Sequence, residues 1–239
     1  LPKLQIGASG ERTFALATRL TMLATELSPR EGKPGLADSK LNFVSFTPAT
    51  SFEMGNSGGH ARERIVLFRL LEPLVQSSTA LMNFLQGAVT RSDQWRSRVL
   101  SADFPVEKAI ARRFAEQFKA RRDLQTELYT VLDGWFARQL NEWPVEARRL
   151  RNRLIGKLRQ LLAEVCVQSL EPDLVILDEF QRFKSLLNGS DEQIDPAVEL
   201  AQSLFRARTP EDHPVRTLLL SATPYKLYTA DAEIEQEDH

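Results

Sequence analysis

The 239-residue sequence has few of the residues that build covalent and metal-based scaffolds. Cys166 is its single cysteine, which excludes an intrachain disulfide and a cysteine-rich metal site and fits a reducing, cytoplasmic setting. His60, His213 and His239 are scattered along the chain, so a zinc site is not expected. No apolar run approaches the roughly 20 residues that a membrane-spanning helix needs, and we expect no membrane partner.

The remaining composition is that of an ordinary globular protein, with 42% hydrophobic and 26% charged residues and a net charge of −1. The opening residues, LPKLQIGASG, lack the features of a signal peptide and an initiator methionine. The last residues, DAEIEQEDH, complete no recognisable element. We therefore expect a segment of a longer protein.

The near-neutral net charge of the whole chain conceals a basic region in the middle of the sequence. Residues 91–160 contain 16 Lys and Arg against 9 Asp and Glu, which leaves a balance of −8 for the rest of the chain. Such a concentration of positive charge suggests an anionic partner, for instance a nucleic-acid backbone.

Short aliphatic segments at 41–47, 173–178 and 216–222 predict strands, and 3–8 is a weaker fourth. Each is bounded by charges or turn formers, which is typical of central parallel strands covered by helices on both faces. The apolar spacing over 13–27 predicts a helix.

A long helical stretch separates the strands at 41–47 and 173–178. It follows a glycine-rich loop, GNSGGH, and is punctuated by Trp143-Pro144. The last helix is predicted from about Pro144 to Ser169, with an apolar stripe formed by Leu150, Leu154, Leu158, Leu161 and Val165. A crossover between parallel strands needs only a dozen or so residues. We therefore interpret 61–169 as an inserted helical subdomain between 1–60 and 170–239.

The segment LVILDEF carries an aliphatic run into two adjacent carboxylates, Asp178 and Glu179. In parallel α/β sheets, ligands collect at the carboxyl ends of the strands. There Asp178 could hold Mg²⁺, directly or through water, and Glu179 could activate a water that attacks a phosphate. The alternative is that the two acids merely cap a following helix.

A second strand-like segment, RTLLLSATPYKL, ends in Ser221, Ala222, Thr223 and Pro224. Its hydroxyl groups could hydrogen-bond polar groups at the neighbouring strand end. Ser and Thr also cap helices, so a plain strand-to-loop cap is the alternative.

The two segments together, with Asp178 and Ser221 separated by 43 positions, resemble motifs II and III of superfamily 2 helicases and translocases, the DEAD/DEAH-like and Swi/Snf-like group. The resemblance covers about 60 residues near the C-terminus and implies a partial RecA-like domain interrupted by an all-α insertion. It also implies ATP hydrolysis with Mg²⁺ held by Asp178 through water and the attacking water activated by Glu179. By the same resemblance, Gln181, Ser221, Ala222 and Thr223 would couple the nucleotide site to nucleic acid, and Thr47 and Thr50 would contact its backbone.

The sequence departs from this family in two respects. It has no G-x-x-x-x-G-K-[ST] phosphate loop, and GASGER and GNSGGHARER are better interpreted as flexible connectors. No second motor domain with an arginine finger follows Pro224. Because both are missing, we expect these residues alone to hydrolyse ATP poorly or not at all.

The last helix offers Arg149, Arg151 and Arg153 as a face for a nucleic-acid backbone, and we expect this nucleic acid to be DNA. A solvated border beside a leucine stripe is an equally weighted interpretation. Two other functions stay open: a non-catalytic module whose helical insertion contacts a protein or nucleic acid, and an unrelated ATPase in which LVILDE is a Walker B strand. The Ser-Ala-Thr-Pro segment counts against the latter.

Overall fold

The computed structural model describes residues 13–17, 19–27, 41–45, 58–87, 91–140, 142–177, 202, 204–205 and 213–220. The chain divides into two compact units, Leu1–Leu170 and Glu171–His239. The second predicted domain boundary, at 169/170, falls beside this division.

Short parallel strand pairs occur in both units. In the first, β1 (Thr13–Ala17) pairs with β2 (Leu41–Ser45), and Thr13 lies opposite Leu41. In the second, β3 (Leu174–Leu177) pairs with β4 (Arg216–Leu219). The predicted strands at 41–47, 173–178 and 216–222 are confirmed over Leu41–Ser45, Leu174–Leu177 and Arg216–Leu219, whereas 3–8 lies outside the described residues.

The predicted helix over 13–27 is wrong in its first half. Residues Thr13–Ala17 form β1, and only the second half is helical, as a 3₁₀ turn (Leu20–Met22) followed by α1 (Leu23–Glu26). In TFALA the large residues Phe14 and Leu16 alternate with smaller ones, a two-residue period that suits a strand as well as a helix. Pairing with β2, a long-range interaction, decides between the two.

Helices make up most of the described residues of the first unit. A 3₁₀ turn (Glu72–Leu74) and a π-helical turn (Leu132–Phe136) each continue directly from the end of a helix. The helices are α2 (Ala61–Leu71), α3 (Ser78–Leu85), α4 (Ser92–Leu100), α5 (Lys108–Ala120), α6 (Arg122–Val131) and α7 (Val145–Gln168).

Apolar side chains repeat at helical spacing on the packed faces of these helices. In α5, Ile110, Phe114 and Phe118 are buried at intervals of four residues. Glu107 caps its amino end by accepting a hydrogen bond from the backbone N–H of Ala109. Burial of each such side chain stabilises the fold by about 1.5–3 kcal/mol.

The longest helix, α7, confirms the prediction from Pro144 to Ser169 to within a residue at each end. Pro144 is its N-cap residue, where the missing N–H has no consequence. The predicted stripe is buried from Leu154 onward, whereas Leu150 is partly exposed. Cys166 lies in the same core, where burial raises the pKa of its thiol to about 12 and makes it a packing residue.

The segment 19–27 is packed into the helical region. Leu20 and Leu23 are fully buried, the Thr21 hydroxyl donates to Glu63, and the backbone N–H of Glu107 donates to the Ala24 carbonyl at 2.7 Å. Residues on both sides of the predicted boundary at 60/61 therefore share one core.

The β3–β4 pair differs from the fully covered strands that the sequence predicts. Val175 is buried, but Leu174 and Ile176 are 50% and 52% exposed, and Leu218 and Leu219 are 45% exposed. Among the described residues, then, these strands are not covered on both faces. The described residues form a mixed α/β structure that is mostly helical, with small parallel sheets.

Candidate functional site

The parallel pairing of β3 and β4 brings the carboxyl ends of the two strands to one edge. Leu177 lies opposite Leu219. In sequence, Asp178 follows Leu177 directly and Ser221 is two residues beyond Leu219. The described strands therefore end side by side, one directly before Asp178 and the other two residues before Ser221 in sequence. The predicted site residues themselves lie outside the described residues: Asp178, Glu179, Gln181, Ser221, Ala222 and Thr223.

Thr47 and Thr50, proposed to touch the nucleic-acid backbone, also lie outside the described residues. The strand that precedes them, β2, is described and ends at Ser45. Their role stays a prediction.

The three arginines predicted on the last helix occupy three different environments on α7. Arg149 is exposed and, in the described part of the chain, has no ion-pair partner. Arg153 is exposed and donates from Nη2 to Glu127 Oε1 at 2.7 Å. Arg151 is only 4% exposed. The structure therefore presents Arg149 and Arg153 to solvent and places the Arg151 side chain in the interior.

A groove between α6 and α7 lies beside the exposed arginines. It has a volume of about 480 Å³, and Glu127, Val131, Trp135 and Leu150 are among its lining residues. Lys157 donates to Glu127 Oε2 at 2.5 Å, in addition to the bond from Arg153. Sequence reasoning did not single out Glu127, because its cationic partners lie on another helix and leave no local signal.

The charge of this groove is partly balanced. Burial alone would raise the pKa of Glu127, but the hydrogen bonds and attraction of the two cations hold it below its usual value. Glu127 is therefore ionised near neutral pH and offsets Arg153 and Lys157. Arg148 and Arg149 remain as exposed cations on α7 without an ion pair among the described residues.

A buried charged cluster between α2 and α7 is the main feature that sequence reasoning missed. Glu63, 1% exposed, accepts hydrogen bonds on Oε1 from Arg159 Nε at 3.1 Å and Nη2 at 3.0 Å and from the Thr21 hydroxyl at 2.8 Å. Its Oε2 accepts from the backbone N–H of His60 at 2.7 Å, which caps α2. Burial would raise the pKa of Glu63, but Arg159 and these hydrogen bonds together hold it below 4.5.

The loop GNSGGH is held in place at its last glycines. Arg64 Nη1 donates to the carbonyls of Gly58 at 3.0 Å and Gly59 at 2.7 Å. Gly59 has φ +61°, and a Cβ there would lie 2.6 Å from Arg159 Nε. The interpretation of this part as a flexible connector is wrong, because both glycines pack against buried arginines.

Comparison with protein-family models, curated proteins and solved structures finds no match. Within the described residues, no helix combines the length and the hydrophobicity that crossing a membrane requires. No group of three or more histidine, cysteine or acidic side chains among those residues is arranged to hold a metal ion.

Proposed function

We propose that this chain carries motifs II and III of an ATP-dependent helicase or translocase of superfamily 2 that acts on nucleic acid, with DNA as the proposed polymer. The observation that supports the proposal is the parallel pairing of β3 and β4, with Leu177 opposite Leu219. An acidic pair and a hydroxyl-rich turn follow adjacent strands at one edge of a sheet only if those strands run in the same direction.

The proposed chemistry assigns different roles to neighbouring groups. The oxygen ligands of Asp178 suit Mg²⁺, a hard cation that usually keeps several waters, and would hold it through water. Glu179 would orient and deprotonate the water that attacks the γ-phosphate. Gln181, Ser221 and Thr223 would relay the state of the nucleotide to the residues that bind nucleic acid.

The phosphates of ATP need a loop that this sequence does not contain. A P-loop and a second motor domain would therefore have to come from chain outside these 239 residues. In this proposal ATP and Mg²⁺ bind productively only in their presence, and the 239 residues alone are inactive.

The helical unit would supply a binding surface for the nucleic-acid backbone. Its candidates are Arg149 and Arg153 on α7, beside the groove with the half-buried Trp135. Phosphate neutralisation would then set the affinity and its salt dependence.

A second candidate is a non-catalytic interaction module in which the helical part contacts a protein or nucleic acid and the strands keep only remnants of a motor. The separation of the helices into a unit distinct from Glu171–His239, together with the missing P-loop, favours it.

The deciding experiment is Glu179→Gln in the protein as its gene expresses it. We expect nucleic-acid-stimulated ATP hydrolysis to be lost while binding of a fluorescent nucleotide is kept, because the substitution removes the base and preserves the shape. Glu171→Gln, an exposed acid before β3, is the matched control and should hydrolyse ATP normally. Retained turnover in Glu179→Gln would remove this residue from catalysis, and absence of any ATPase activity in the unmodified protein would favour the interaction module.

A further inference from the structure

Arg151 is a buried cation without an acceptor. Its side chain lies in the interior, 4% exposed, and its Nε and Nη1 atoms have no hydrogen-bond partner. Burial, with the charges of Arg64 and Arg148 nearby, lowers its pKa to about 10, so it remains positively charged at neutral pH. A buried, uncompensated charge is strongly unfavourable, and in native proteins such a group is normally paired.

The other buried arginines have hydrogen-bond acceptors within the protein, whereas two nitrogen atoms of Arg151 do not. Arg64 donates to the backbone carbonyls of Gly58, Gly59 and Leu85. Arg159 donates to Glu63. Each therefore has acceptors within the protein, whereas the guanidinium of Arg151 has two donor atoms that none of the described groups accepts.

The charges around Arg151 indicate what kind of ligand would compensate it. Glu63 is the single buried carboxylate in the described part of the chain, against three buried arginines, Arg64, Arg151 and Arg159. Arg64 and Arg151 form no ion pair among the described residues and together carry a charge of +2, and the exposed Arg148 adds to the positive potential. A dianion would neutralise these two guanidinium groups, while a singly charged carboxylate would leave them positive.

The surroundings favour a compact ligand. The packing near Arg64 and Asn152, the residue after Arg151, is tight: a Cβ added at Gly58 would be 3.3 Å from Asn152 Oδ1 and 3.9 Å from Arg64 Nη1. The near-complete burial of Arg151 is incompatible with an internal phosphodiester of a polynucleotide, which has one negative charge and a sugar on either side. A terminal phosphate group has two charges, and its oxygens suit a guanidinium.

We propose that Arg151 anchors a buried binding site for a phosphate dianion, either free phosphate or the phosphomonoester of a small molecule. The site is independent of the motor function proposed above. It gives Arg151 a role different from that of the exposed Arg149 and Arg153, which are two residues away on the same helix.

The test is thermal unfolding of the 239-residue chain in phosphate-free buffer with increasing inorganic phosphate, compared with sodium chloride at matched ionic strength. We expect phosphate to raise Tm by about 5–10 °C at 100 times its Kd, beyond the effect of chloride. Arg151→Met should abolish this response and unfold at a higher temperature than the unmodified chain without phosphate, since an apolar group of similar length replaces an unpaired charge. Arg149→Met should respond like the unmodified chain.

Two further arms identify the ligand and guard against a variant that fails to fold. Adenosine monophosphate is compared with adenosine: a stabilisation by the monophosphate at lower concentration than phosphate supports a phosphomonoester, and an effect of phosphate alone supports the free anion. Arg151→Lys keeps the charge and should respond with reduced affinity. The proposal is overturned if phosphate acts no more strongly than chloride on the unmodified chain, if succinate acts as strongly as phosphate, or if Arg151→Met keeps the response.

Discussion

Replacing Glu63 by glutamine should destabilise the helical unit more than any exposed charge change. The substitution keeps the size of the side chain and removes its charge. At Oε1 the amide oxygen could still accept from Thr21 and Arg159, but the amide NH₂ would then face the backbone N–H of His60, donor against donor. The substitution therefore removes the α2 cap and the negative charge that Glu63 places beside the buried Arg159.

The size of the effect follows from the burial of both partners. Glu63 and Arg159 are each 1% exposed. Breaking a buried pair by neutralising one member costs about 3–5 kcal/mol. For a unit of this size, 1 kcal/mol corresponds to a change in Tm of about 2–4 °C, so we expect Tm to fall by about 6–20 °C.

The assay is calorimetric or spectroscopic unfolding, with Glu127→Gln as the matched control. Glu127 also binds two cations, Arg153 and Lys157, but at the surface, where an ion pair contributes about 0–1 kcal/mol. A decrease in Tm for Glu63→Gln no larger than that for Glu127→Gln would refute the reasoning. The double replacement Glu63→Leu with Arg159→Met should be less destabilised than Glu63→Gln, because both charges of the buried pair are removed together.

The pH dependence of the free energy of unfolding tests the same prediction independently. The pKa of Glu63 is lowered in the folded protein, so its stabilisation is complete above pH 4.5 and is lost as the pH falls below that value. The stability difference between the unmodified chain and Glu63→Gln should therefore be largest near neutral pH and should shrink in acid. A difference that stays constant down to about pH 3 would contradict the assignment of an ionised, paired Glu63.

Reversing Arg149 and Arg153 to glutamate should weaken DNA binding, measured by fluorescence anisotropy. The slope of log K against log salt concentration should also become shallower, by about 0.9 for each phosphate that the protein no longer neutralises. Arg216→Glu, an exposed change in the other unit, is the control, and unchanged binding would identify the two arginines as a solvated border. Gly87→Ala should destabilise the protein by about 1–3 kcal/mol, since Gly87 has φ +64° and an added Cβ would lie 2.6 Å from a buried guanidinium carbon. Gly134→Ala, with nothing within 4 Å of the added Cβ, should change the stability by no more than about 1 kcal/mol, and equal decreases in the two variants would contradict the conformational argument.

The local sequence pattern was sufficient to predict those helices and strands whose conformation depends mainly on their own residues. The helix Val145–Gln168 was predictable because a proline at its start and a 3.6-residue apolar period agree, despite the single interior glycine, Gly156. The strands around Val44, Val175 and Leu218 were predictable from aliphatic runs between polar boundaries. The chemistry proposed for Asp178 and Ser221 also rests on sequence, since both lie outside the described residues.

Tertiary structure decided what local pattern leaves ambiguous. Thr13–Ala17 is a strand because β2 pairs with it, although its apolar spacing also fits a helix. The sequence does not distinguish the three arginines of the last helix. In the structure Arg149 is exposed to solvent, Arg151 is buried, and Arg153 is paired with a residue 26 positions away. The sequence alone determined most of the helices, the strands and the candidate motifs; only the folded chain determined which charges are buried, because burial and pairing depend on residues distant in sequence that packing brings together.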